Sequence, residues 1–211
     1  MKQASVEVVE RRLRESDASP DPFKQFKDWY DEAIAQSNVT LPNAMTLATA
    51  TADGEPCARV VLLKQYDSDG FVFYTNFKSR KGKELAGNPR ACLLFYWGDL
   101  ERQIRIEGRI SKIDQTEAEE YFQTRPRGSQ IGALASTQSE AIPSRESLEA
   151  KVAELELQFE GKQVPCPSYW GGYRVAPEVF EFWQGRPSRL HDRLMYTLKK
   201  DGSWKIERLA P

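Results

Sequence analysis

Histidine is almost missing from this 211-residue chain. His191 is the only one, and that alone removes multi-histidine metal sites from consideration. Cysteine is scarce as well. Cys57, Cys92 and Cys166 are odd in number, far apart and without a Cys-x-x-Cys pair, which suits reduced thiols in a cytosolic protein and neither a disulfide framework nor a zinc site. No apolar run is long enough to span a bilayer, and the opening residues MKQASVEVVERRLRESD are too charged for a secretory signal. The expectation is a soluble, cytoplasmic protein with no metal and no membrane partner. An excess of one charge is also lacking: 30 Lys and Arg stand against 31 Asp and Glu, so a surface built throughout for nucleic acid is excluded. A serine triad through His191 would need the adjoining Asp192 to orient it, and neighbours on a strand point to opposite faces.

What the chain does hold is 11% aromatic residues, enough at this length for one domain with a real core. Residues 1–20 read as an N-terminal arm, helical or mobile, because Val6, Val8 and Val9 are the only aliphatics before a Glu/Arg-rich run. Residues 21–211 read as a single domain. Asp21-Pro22 supplies an N-cap and first helical residue, and Phe23, Phe26, Tyr30, Ala33 and Ile34 recur at helical spacing to about Ser37. Strands are expected over 44–51, 57–64, 71–75, 91–97, 103–113, 179–183, 194–198 and 204–209, with a proline-, tryptophan- and glycine-rich crossing over 165–172. Between them lie a short basic helix capped by Ser79, a helix opened by a Thr116–Glu119 capping box, a loop over 125–139, and a helix capped by Ser144 whose stripe is Leu148, Val152, Leu155 and Phe159. Antiparallel strands in hairpin order, with peripheral helices and no βαβ alternation, imply an α+β fold built on a closed or split β-barrel.

The chemistry concentrates in two places. From Arg59 to Lys83 an apolar run, Val60–Leu63, sits between Arg59 and Lys64 and reads as a strand buried on both faces, with Phe71–Thr75 as its hairpin partner across Asp67-Ser68-Asp69-Gly70. Lys78, Arg80, Lys81 and Lys83 then gather around a helix N-terminus, where cations and free backbone N–H groups suit a phosphate. A solvated basic turn is the plain alternative. Arg59 and Lys64 weigh against it, since cations bracketing a buried strand need a counter-charge. The second place is Phe182–Arg193, a turn with three arginines, Trp183, His191 and Asp192, which makes a cationic rim with an aromatic wall for a flat anionic ligand.

Nine blocks in order, from about Asp21 to Pro211, resemble the pyridoxine 5′-phosphate oxidase family of FMN enzymes. They are RVVLLK (59–64), FYTN (73–76), SRKGKEL (79–85), ERQIRIEG (101–108), YFQTRPRGSQIGA (121–133), WGGYRV (170–175), FWQG (182–185), RLHDR (189–193) and ERLAP (207–211). The resemblance implies an FMN-binding split barrel acting as a homodimer, with FMN at the subunit interface and dimer and substrate contacts in the C-terminal part. It implies oxidation of pyridoxine or pyridoxamine 5′-phosphate to pyridoxal 5′-phosphate, with dioxygen as acceptor and hydrogen peroxide as product. Arg59, Val60, Val61, Leu62, Leu63, Lys64, Tyr74, Thr75, Arg80 and Lys81 would hold FMN, with Gln138 and Ser139 arriving from the other subunit and Gln103, Trp183 and Arg193 completing the site. Lys64, Tyr121, Arg125 and Ser129 would take the substrate phosphate. Arg189, Leu190 and His191 would face the pyridine ring, Arg189 and His191 being the catalytic candidates. One departure stands out: family members can fold an arm bearing Arg and Tyr over the substrate, and here no tyrosine precedes Tyr30. Two other readings stay open, a different split-barrel flavin reductase or oxidase, and a nucleic-acid-binding barrel.

Overall fold

Apolar and polar side chains alternate along most strands of the sheet, and a sheet of that pattern must curl to close its apolar face over a core. The computed structural model describes residues 11–35 and 38–211. Its strands are β1 (Ala44–Ala50), β2 (Pro56–Leu62), β3 (Gln65–Asp67), β4 (Gly70–Asn76), β5 (Arg90–Trp97), β6 (Arg102–Lys112), β7 (Trp170–Gln184), β8 (Asp192–Leu198) and β9 (Trp204–Arg208). All pair antiparallel in one sheet of order β2-β1-β5-β6-β7-β4-β3, with β8 and β9 branching from β7. This is a split, half-closed barrel of α+β type, as the strand pattern implied. β7 is its spine, pairing β6, β4 and β8 along its length. The ladder between β6 and β7 shifts register at Glu107/Gly108. Glycine is required there, since a Cβ on Gly108 would come within 2.0 Å of the Ala176 carbonyl oxygen.

Helix α1 (Pro22–Ala35) packs Phe26, Trp29 and Ala33 into the core of the sheet. Asp21 caps it through the Phe23 N–H at 2.9 Å, and Phe26, fully buried, meets Phe71, Tyr66 and Phe95 edge-on. Burying one such ring contributes about 1.5–3 kcal/mol. The expected end of α1 at Ser37 and residues 1–10 of the arm lie outside the described residues. The rest of the arm is docked: Leu13 is buried, its N–H donates to Asp192 Oδ2 at 3.1 Å, and its carbonyl accepts from Arg208 at 2.9 Å.

Several sequence expectations are corrected. The strand of Val60 does not form a hairpin with β4; β2 pairs β1, and the hairpin across Ser68-Asp69 is β3 with β4. Nor is that strand buried on both faces. β2 is a sheet edge, and Val60 is 67% exposed while Leu63 turns into the core. The helix α3 (Gln115–Thr124) is capped by Asp114, which accepts from the Thr116 N–H at 2.7 Å, so Thr116 lies inside the first turn. The 125–139 loop contains a helix, α4 (Arg127–Ala135), begun at Pro126 and anchored by buried Ile131 and Gln130. The crossing over 165–172 ends at Pro167–Tyr169, and β7 starts at Trp170, because pairing with β4 overrides the weak strand preference of Gly171 and Gly172. Ser79 and Ser144 cap α2 (Arg80–Gly87) and α5 (Arg145–Gln158) as expected.

Candidate functional site

The cationic stretch and the 125–139 segment meet at one cavity of about 730 Å³, whose walls come from β2, β4, α2, α3 and α4. Arg59, Val60, Val61, Leu62 and Lys64 form one side, Thr75 and Lys81 the floor, and Tyr74, Tyr121, Arg125, Ser129 and Gln138 the far wall. Sequence reasoning assigned every one of these residues. It also assigned Leu63, which does not line the cavity: its side chain is in the core, and its N–H and carbonyl are both engaged with Asn43.

The floor follows from local chain rules. Ser79 is fully buried, its hydroxyl capping α2 through the Gly82 N–H at 3.3 Å and donating to the Asn76 carbonyl at 2.6 Å. The Gly82 amide is thus taken, and the cations Arg80 and Lys81 stand in the first turn. Lys81 is 9% exposed, and its ammonium donates to Gln138 Oε1 at 2.9 Å, Thr75 Oγ1 at 3.2 Å and Ser79 Oγ at 3.3 Å. Burial and the nearby Arg59 guanidinium lower its pKa, so an anion placed here would relieve a buried cation. Gln138 reaches Lys81 within the same chain. Its expected arrival from a second subunit is thus corrected, because α4 folds residues 136–139 back over β4.

The far wall is a stack. The Tyr74 and Tyr121 rings lie 4.0 Å apart, Tyr74 and Trp170 5.3 Å apart, all nearly parallel, and the Arg125 guanidinium stands 4.7 Å from the Trp170 ring. Two buried polar atoms on this wall have no partner: the Tyr74 hydroxyl and Arg125 Nη1. Burial pushes the Tyr74 phenol up to about 12 and depresses the Arg125 guanidinium. Buried donors left unpaired are costly, and both aim for an acceptor the protein itself does not provide.

Arg80 and Ser139 sit outside this cavity, in an adjoining groove that shares Gln138 with it. Trp170, Asn76 and Ser136 line the cavity and were given no role by the sequence; the Trp-Gly-Gly block was the available signal. Glu84, which binds both Arg59 and Arg80, was also missed, although its position four residues after Arg80 on a helix marks the pair.

Gln103, Trp183, Arg189, Leu190, His191 and Arg193 form a second group elsewhere. Gln103 pairs Trp183 and Trp183 pairs Arg193 across β6, β7 and β8, so the three stand in a row. His191 packs on Trp183 with ring centroids 4.6 Å apart, and its Nδ1 accepts the Arg186 backbone N–H at 3.1 Å. A neutral imidazole so held carries its proton on Nε2. Ser188 and Arg189 both have positive φ, 58° and 61°, a strained pair of non-glycine residues at the rim. Leu190 is 69% exposed. The cavity's Trp170 and the rim's Trp183 are on one strand, roughly 40 Å apart along it at about 3.3 Å per residue. One chain does not bring the two groups together. Among the described residues no cluster of His, Cys, Asp and Glu could hold a metal, and no helix is long and apolar enough to cross a membrane.

Comparison with known proteins matches most of the chain. Residues 30–159 match the family model described as pyridoxamine 5′-phosphate oxidase, and residues 170–211 match the pyridoxine 5′-phosphate oxidase C-terminal dimerisation region. The pyridoxine/pyridoxamine 5′-phosphate oxidase of Rubrobacter xylanophilus is 56% identical over 97% of this chain and 94% of its own length. The enzyme of that name from Nostoc sp. is 54% identical over 94% and 92%. Among solved structures, PhzG from Burkholderia lata, in complex with tetrahydrophenazine-1-carboxylic acid, superposes with a TM-score of 0.88 at 34% identity, covering 96% of this chain and 99% of its own. The chain belongs to the pyridoxine/pyridoxamine 5′-phosphate oxidase family.

Proposed function

We propose that this protein is an FMN-dependent oxidase that converts pyridoxine or pyridoxamine 5′-phosphate to pyridoxal 5′-phosphate, acting in the cytoplasm as a homodimer. The observation that carries it is one cavity lined by the cations Arg59, Lys64 and Lys81 and, on its far wall, by Arg125 with the hydroxyl of Ser129, where one reaction needs two phosphorylated partners side by side.

The residues fit FMN. A volume of about 730 Å³ lies within the range of sites for ligands of this size. Phosphate is best met by charge-assisted hydrogen bonds from Arg and Lys, which Arg59, Lys81 and the neighbouring Arg80 provide. When bound, FMN supplies a two-electron acceptor for a hydride from the substrate's 4′ carbon, with dioxygen as the final oxidant and hydrogen peroxide as product.

The protein's own part is position. Arg125, Ser129, Tyr121 and Lys64 anchor the substrate phosphate, and the unpaired Arg125 Nη1 gains its acceptor there. The Tyr74 phenol, neutral at every physiological pH, donates to whatever acceptor occupies the cavity. Arg189 and His191 cover the pyridine ring, with His191 Nε2–H available as a donor because Nδ1 is occupied. Alignment of a hydride donor to about 3–3.5 Å is the rate advantage such anchoring yields. The rim of a second chain, with Gln103, Trp183, Arg189, His191 and Arg193, closes the cavity of the first, since a flat ligand cannot bridge the two groups within one chain. The exposed Val60 edge strand and the dimerisation region of residues 170–211 support that assembly.

Purified protein should be yellow, elute as a dimer by light scattering, and form pyridoxal 5′-phosphate in a turnover assay. A colourless preparation that turns over neither phosphate ester overturns the reading, and one that shifts single-stranded nucleic acid favours the binding-barrel alternative.

A further inference from the structure

The Glu84 carboxylate is buried, 5% exposed, on the inner side of α2, where it lines the groove that adjoins the cavity. Its two oxygens divide the surrounding cations. Oε2 accepts from Arg59 Nη2 at 2.9 Å and from the Thr49 hydroxyl, and Oε1 accepts from Arg80 Nε at 2.8 Å. Thr49 Oγ1 accepts in turn from Arg59 Nη1, which also reaches the Leu47 carbonyl at 3.2 Å. A guanidinium has five N–H groups in a fixed fork, so engaging one edge sets where the others point. Glu84 occupies Nε of Arg80 and leaves its Nη groups for a ligand, while Thr49, Leu47 and Glu84 hold Arg59 at the cavity wall.

We propose that Glu84 is a positioning residue of the flavin phosphate subsite, aiming the Arg59 and Arg80 guanidiniums and reducing the three cations Arg59, Arg80 and Lys81 to two net positive charges, the complement of a phosphate dianion. This rests on the FMN reading above. Burial alone would raise the Glu84 pKa, but hydrogen bonds from Thr49, Arg80 and Arg59 outweigh it, so the carboxylate stays ionised at neutral pH.

Two effects of Glu84→Gln have opposite signs, and that makes the inference testable. Removing the carboxylate adds net positive charge to the subsite, which by itself attracts phosphate more strongly. It also gives one guanidinium an amide N–H₂ in place of an acceptor and frees it to turn. If aiming dominates, FMN binding weakens despite the added charge. Riboflavin, which has the same ring and no phosphate, should bind as before.

The experiment is flavin fluorescence quenching on the apoprotein of wild type, Glu84→Gln and Glu84→Asp, titrated with FMN and separately with riboflavin. Glu84→Gln should lose about tenfold or more in FMN affinity, equal to about 1.4 kcal/mol per decade, with the riboflavin constant unchanged. Glu84→Asp keeps the charge but shortens the reach, and should lose FMN affinity too. Should the Glu84 variants not fold, Thr49→Val removes the bridging hydroxyl from a buried β-branched site and should weaken FMN alone by about threefold. Tighter FMN binding by Glu84→Gln, or equal losses of FMN and riboflavin, overturns the inference, the first meaning a purely neutralising carboxylate and the second a structural one. Wild-type protein that quenches neither flavin overturns the FMN reading itself, whereas wild type that binds FMN with unchanged variants overturns only the role of Glu84.

Discussion

The Arg125 guanidinium lies 4.7 Å from the centre of the Trp170 ring with its Nη1 buried and unpaired. A side chain serving only to end α3 would turn to the helix carbonyls. Here it is the Arg125 backbone N–H that closes the helix, on the Phe122 carbonyl at 3.2 Å. Arg125→Ala should therefore weaken binding of the phosphorylated substrate by one to three orders of magnitude, since truncating one partner of a buried charge pair costs about 2–5 kcal/mol. FMN affinity should stay near wild type. Michaelis constants and FMN titrations of the same variant check this; a lower melting temperature with an unchanged KM would return Arg125 to a helix-capping role.

Tyr74 presents the complementary case. Its hydroxyl is buried without a protein partner, so Tyr74→Phe removes an unsatisfied donor and should raise the apoprotein's melting temperature slightly while weakening ligand binding by about 0.5–1.5 kcal/mol. Differential scanning of apo and FMN-loaded protein reads both arms. Destabilisation of the apoprotein would mean that the hydroxyl has a partner after all.

Arg189→Ala should keep the flavin and lose most turnover, because Arg189 lies on the turn beside Trp183 and His191, which the proposed function sets over the substrate, and does not line the cavity of Arg59 and Lys81. Absorbance of the purified variant together with its kcat settles the matter. Purification as colourless apoprotein would place Arg189 on the cofactor instead.

Glu15 and Arg208 clasp the arm to β9, with Arg208 Nε donating to Glu15 Oε1 at 2.7 Å and its Nη1 to Asp192 Oδ1 at 2.8 Å. The Arg208 hydrogen bond, foremost among its causes, holds the Glu15 carboxyl at about 2 against an ordinary 4.5. A carboxyl depressed in the folded state adds stability that is complete above the unfolded value and is lost as pH falls from about 4.5 toward about 2. Wild type and Glu15→Gln should thus differ in urea midpoint at pH 7 and converge near pH 2. A constant difference across that window would show that the ion pair contributes nothing.

Much of the molecule was legible in the sequence because its rules are local. Asp21, Ser79 and Ser144 cap helices through side-chain oxygens a few residues away, and β6 alternates Ile104, Ile106 and Ile110 inward against Gln103, Arg105 and Glu107. Those patterns required no knowledge of the rest of the chain. The lysines and arginines of the cavity were equally visible, as charges gathered in one stretch and in one loop. What only the tertiary structure decided is which strands pair and which residues share a wall. Val60 read as buried because its neighbours are apolar, but β2 lies at the sheet edge, paired on one side by β1, and among the described residues no strand pairs its other side. The start of β7 at Trp170 and the helix α4 in place of a loop arise from pairing with β4 and from packing of Ile131 in one cluster with Leu155, Val164 and Trp170, residues far away in sequence. Glu84 shows the same limit most sharply. Its spacing from Arg80 is a helical repeat, but Arg59 and Thr49 reach it from separate strands, so the carboxylate that joins them appears only when the chain is folded.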